Sequence, residues 1–150
     1  MLRSRKFESL WPYVGTVIAL FCWYKFGAPF PPSPDGLFGA SATLASIFAS
    51  FLGVSKAVIL SIKASETYKI LEKAGYTDLL YDYLKSGIFS SVMFAALSII
   101  GFFVSPHKDA EFYGLNLFSM FAGIWVLFGF LALATYIRIT NILFKLLKNS

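Results

Sequence analysis

The chain has 150 residues, 57% of them apolar, 19% aromatic and only 14% charged, with a mean hydropathy of +0.69. A water-soluble core of this size has no room for seventeen Phe, eight Tyr and three Trp, whereas lipid accepts them around the whole girth of a helix, so water-soluble enzyme classes are excluded first. The net charge of +5 comes from basic residues that flank apolar runs rather than line one polar face, which points to membrane orientation and away from direct nucleic-acid binding.

The sequence predicts a single all-α domain over 1–150, a bundle of four transmembrane helices with a helical hairpin between the second and third. The first span, 11–26, follows Arg3, Arg5 and Lys6. Trp23, Tyr24 and Lys25 stand where a cleavable signal peptide would carry small residues, so the segment reads as retained. Pro12 suits a helix entry, and Pro29, Pro31, Pro32 and Pro34 forbid continuation beyond the span. The second span covers 39–62 and the third 86–104. Between them, 63–85 is too polar for hydrocarbon and too helix-prone for a slack loop; Gly75 fits just past one helix end and Thr77 with Asp78 fits the start of the next. The fourth span, 115–137, continues through RITNILFKLLK as an interfacial tail. Ten of the thirteen Lys and Arg lie with the termini and the hairpin and only Lys25 and Lys108 lie opposite, so both termini and the hairpin are assigned to the cytoplasm.

Chemistry has few footholds. The lone Cys22 permits neither an internal disulfide nor a thiolate metal site, and His107 has no partner set for nucleophilic or metal chemistry, so no enzyme activity, metal or cofactor is expected. No predicted span contains Asp, Glu or His, which argues against proton-coupled transport.

Three features invite a functional reading. Ser41, Ala45, Ala49, Gly53, Ala57 and Ser61 recur every four residues along the second span, with Gly87, Ser91, Ala95 and Ser98 as a shorter counterpart on the third. Such ridges let helix backbones approach closely, either within one subunit or at a self-association or pore-lining face. Lys56, with Ser46 and Ser50 nearby, is either a snorkelling lysine or a charge facing a wet interior. On the hairpin, Tyr68, Tyr76, Tyr81 and Tyr83 lie among Lys69, Lys73, Asp78 and Asp82, either as interfacial belt residues or as the docking surface for a soluble partner.

The order of these features covers most of the chain: a short first span, a loop ending in PDGLFGAS, a Ser- and Ala-rich second span, a helical excursion holding EKAGYTDLL, and two closing spans. It resembles the KwaA family, the membrane subunits of the Kiwa antiphage defence system, with a more distant likeness to the phage-lambda exclusion protein RexB. The resemblance implies a homo-oligomer of the bacterial inner membrane, taken here as a tetramer, that responds to infection and works through a cytoplasmic partner such as KwaB. The RexB likeness implies instead a pore that depolarises the membrane. A small housekeeping assembly or transport subunit is the rival class.

Overall fold

A computed structural model describes residues 2–61, 66–73, 75–107, 111–112 and 115–148. Five helices dominate: α1 (Leu2–Lys25), α2 (Asp35–Ser61), α3 (Glu66–Lys73), α4 (Tyr76–Val104) and α5 (Leu117–Lys148). A 3-10 turn at Ser105–His107 and a two-residue antiparallel ladder, β1 (Glu111–Phe112) with β2 (Leu115–Asn116), connect α4 to α5. Three helices, α2, α4 and α5, are long and apolar enough to cross a membrane. α1 is not among them, although its 24 residues extend about 36 Å.

The helix boundaries differ from the sequence expectation in ways that have physical causes. α1 does not begin at Pro12; it starts at Leu2 and carries the proline inside. One missing N–H costs one ladder bond, and the turn is supported locally by Thr16, whose hydroxyl donates to the Pro12 carbonyl at 2.7 Å. The helix ends in a Schellman motif, with Ala28 N–H donating to Trp23 and Gly27 N–H to Tyr24, and Gly27 takes the left-handed conformation (φ 82°) that this ending requires.

α2 starts four residues before its predicted boundary, directly after Pro34, where Asp35 complements the positive end of the helix dipole. The second arm of the predicted hairpin is not a separate helix but the first ten residues of α4. Gly75 is left-handed (φ 67°) between α3 and α4, as its position suggested. Thr77 and Asp78 lie inside α4, whose cap is Gly75. The described part of α2 ends at Ser61 and α3 begins at Glu66; residues 62–65 and 74 lie outside the described residues. The fourth span is preceded by β2 at Leu115–Asn116, and its tail is one helix with it.

Four long helices run up and down alternately. Leu52 meets Gly87 and Phe38 meets Gly101 across the antiparallel α2–α4 pair; Ser90 meets Thr135 and Ser98 meets Trp125 across α4–α5. The buried positions of α2 are Phe38, Ser41, Ala45, Phe48, Leu52, Ser55 and Ile59, alternating steps of three and four. That period of 3.5 is the seam of left-handed helix packing. Two clusters fill the bundle. Toward one end Phe38, Phe48, Phe94 and Trp125 pack together, and Phe30 from the proline-rich loop closes over Phe38, Phe118 and Trp125. Toward the other, Leu52, Ile59, Leu84 and Ile139 lead into Tyr68, Leu80, Leu143 and Leu146.

Candidate functional site

The second end of the bundle is where the helices carry charge and where α3 joins them. Its centre is Arg138, only 2% exposed. An unpaired buried charge is costly, and here the guanidinium lies 3.8 Å over the Tyr83 ring of α4 and donates from Nη1 to the Ser9 carbonyl of α1 at 3.3 Å. Pro12 offers no N–H to the carbonyl of Glu8, and the neighbouring carbonyl of Ser9 is the one that Arg138 reaches. One residue thus ties α1, α4 and α5. One turn away, Tyr13 of α1 and Ser86 of α4 share a hydrogen bond of 3.1 Å.

Counting basic residues by side treats Arg138 only as an orientation signal. The missed clue is the run Ala132, Thr135, Ile139, Leu143 and Leu146, a buried stripe that continues past Ile137 and takes its neighbour Arg138 inward with it.

The predicted docking residues divide. Tyr68 (5% exposed) and Tyr83 (6%) belong to the core, so neither offers its ring to a soluble partner. Burial, followed by the hydrogen bond with Tyr81, pushes the Tyr68 phenol above its ordinary value. Tyr76 and Tyr81 are half-buried; Lys69, Lys73, Asp78 and Asp82 are exposed. The outer surface of this cap is therefore polar and mixed in sign, with two tyrosines at its margin.

The ridge on α2 does not stay on one face. Each step of four residues advances about 40° beyond a full turn, so from Ser41 to Ser61 the ridge winds through about 200°. Ser41 and Ala45 are buried against the bundle, Ala49 is half-buried, and Gly53, Ala57 and Ser61 are exposed. A Cβ added at Gly53 would meet nothing within 4 Å, whereas one at Gly87 would lie 2.8 Å from Ile139 Cδ1 and 2.9 Å from Leu52 Cδ1. Close approach within the chain thus belongs to α4, through Gly87, Ser91 and Ser98. Ser46 and Ser50 face outward beside Gly53, and the Ser46 hydroxyl is satisfied within its own helix by the Ala42 carbonyl at 2.8 Å. Lys56 is exposed and lines a groove of about 810 Å³ with Asp82, Lys85 and Ser86.

No profile of a known protein family matches this chain, and no curated protein or solved structure does either.

Proposed function

We propose that the chain is a four-span subunit of the bacterial inner membrane that assembles with copies of itself and signals through its helical cap to a cytoplasmic partner, as the KwaA resemblance implies for antiphage defence. The observation that carries this reading is the way α1 runs along α5. Its Ser9 meets Arg138, ten residues before the C-terminal end of α5, while its Val17, Leu20 and Tyr24 share a groove with Met120 and Ile124 near the N-terminal end. A helix that runs antiparallel along α5 over this depth, with apolar Val14, Val17, Ile18 and Phe21 more than half exposed, crosses the bilayer with its neighbours.

The remaining parts follow from length and exposure. α5 extends about 48 Å against a hydrocarbon core of about 30 Å. The ten residues after Arg138 alone reach about 15 Å, and they pack with α3 and the start of α4 into a cap. Gly53 and Ala57, open on the outer face of α2, supply the close contact for a second copy, in an assembly taken as a tetramer. A second reading, a conducting pore, is favoured by the outward hydroxyls of Ser46 and Ser50, which copies brought together would turn toward a shared axis with Lys56 near its mouth.

The experiment is co-purification with the product of the gene next to this one, for wild type and for a Lys69→Glu, Lys73→Glu variant. Capture by wild type and loss by the variant, with oligomer size unchanged, supports the signalling cap. Equal capture by both moves the docking surface off the cap. Single-channel recording of the purified assembly separates the two readings, since a scaffold passes no current.

A further inference from the structure

We infer that the groove beside Lys56 is a binding site for one anionic phospholipid of the cytoplasmic leaflet, a proposal that rests on the membrane reading above. The groove lies between α2 and the outer side of α4, with a volume of about 810 Å³, within the roughly 300–1,000 Å³ typical of ligand clefts. Its chemistry is divided by level. Lys56, Lys85, Asp82 and Ser86 form a polar rim, and from Lys85 the wall continues along α4 through Ile88, Phe89 and Val92, which are apolar. Phe89 and Val92 are more than half exposed, so this wall has no covering from the chain itself.

The level of the rim suits a headgroup. Lys56 stands five residues, about 7.5 Å, before the end of α2 at Ser61, and Lys85 follows Tyr83, the residue covered by Arg138. Hydrocarbon therefore lies on the Ile88–Val92 side and the cap on the other. Two lysines against one aspartate leave the rim one net positive charge. That complements the single negative charge of a phosphodiester, and it leaves a zwitterionic lipid unmatched. In the bound state the two ammonium groups donate to phosphate oxygens, the Ser86 hydroxyl, accepting from Tyr13, gives its own proton to a third, Asp82 accepts from hydroxyls of a glycerol headgroup, and one acyl chain lies along Ile88, Phe89 and Val92. Basic recesses between spans on the cytoplasmic side are the physical form such sites take.

The test is native mass spectrometry of the detergent-purified protein titrated with phosphatidylglycerol, with phosphatidylethanolamine and phosphatidylcholine as separate arms. Three proteins are compared: wild type, Lys56→Gln with Lys85→Gln, and Lys145→Gln with Lys148→Gln, which removes equal charge from the exposed end of α5. Phosphatidylglycerol should be retained preferentially by wild type, with an affinity about fivefold weaker for each groove lysine removed and about 25-fold weaker for the pair. The tail variant should bind like wild type. Equal retention of all three lipids, or equal loss in both variants, overturns the site, because either result means general adhesion. Loss of the oligomer in the groove variant with phosphatidylglycerol retention unchanged puts a second copy in the groove and also overturns it. Recovery of the wild-type protein in the soluble fraction after alkaline washing of membranes would instead remove the membrane reading beneath the proposal.

Discussion

Leucine at Gly87 and leucine at Gly53 should have opposite consequences, because two glycines on two small-residue ridges meet different surroundings. At Gly87 the first carbon alone would sit 2.8 Å from Ile139 Cδ1 and 2.9 Å from Leu52 Cδ1. Carbon atoms pack at about 3.5–4.0 Å, so both side chains must retreat by more than half an ångström. For alanine this strain is set against the helix propensity gained on leaving glycine, about 1 kcal/mol, and Gly87→Ala should be close to neutral. Leucine adds three further carbons to a site closed on both sides, and overpacking of this kind costs about 1–3 kcal/mol. With about 2–4 °C per kcal/mol for a chain of this size, Gly87→Leu should melt about 2–12 °C below wild type. At Gly53 the first carbon meets nothing within 4 Å, and Gly53→Leu should leave the melting of the isolated chain unchanged or raised. Its effect should fall on assembly, where a leucine holds apart the backbones of neighbouring copies. Circular-dichroism melts in a detergent that keeps the protein monomeric, paired with native mass spectra in a milder one, read the two effects separately. A Gly87→Leu variant that melts with wild type would refute the packing argument, and a Gly53→Leu variant with an unchanged oligomer would remove α2 from the subunit contact.

Tyr83→Phe keeps the ring under Arg138 and deletes a buried hydroxyl that has no hydrogen-bond partner among the described residues, so it should melt at or slightly above wild type; Tyr83→Leu loses the cation–π contact and should cost about 1–2 kcal/mol. Ser98→Ala strands the Trp125 indole N–H, which donates to the Ser98 hydroxyl at 2.9 Å, and should cost about 1–2 kcal/mol in the same melts. Tyr68 has a folded-state pKa raised above the unfolded value of 10.0, so its contribution is fully present below that value and is lost as pH rises through the folded one. Wild type should therefore lose melting temperature above about pH 10 faster than Tyr68→Phe, and parallel losses in the two proteins would contradict a buried, protonated Tyr68.

What the sequence discloses about this fold is what depends on local composition. The apolar runs, the proline-rich break after α1 and the left-handed Gly75 follow from side-chain chemistry at single positions, and each reappears in the structure. What escapes is what depends on which way a helix faces. Six small residues at steps of four look like one ridge, yet the 40° advance per step carries Gly53 and Ala57 away from the buried seam that Phe38, Leu52 and Ile59 mark at a period of 3.5. Pro12 resembles a helix start because proline is welcome there; inside α1 the turn is supported by Thr16, and Arg138 reaches the nearby Ser9 carbonyl from a helix 129 residues distant in sequence. The polar stretch before Lys85 reads as the arm of a hairpin set apart from the third span because composition changes there, although the helix of α4 runs through the change without a break. Arg138 and Tyr83 are individually ordinary as a flanking arginine and a belt tyrosine. Only their juxtaposition makes them a buried contact.

The central claim, a chain that crosses the inner membrane four times with its cap in the cytoplasm, is tested most directly by single-cysteine labelling in a Cys22→Ser background. Cysteines at Ser4, Ser33, Pro106 and Lys148 are treated in intact cells with a membrane-impermeant maleimide, before and after permeabilisation. The account predicts labelling of Ser33→Cys and Pro106→Cys from outside, and labelling of Ser4→Cys and Lys148→Cys only after permeabilisation. External labelling of Ser4→Cys would show that α1 does not cross with the other helices, and external labelling of Lys148→Cys would contradict the cytoplasmic cap.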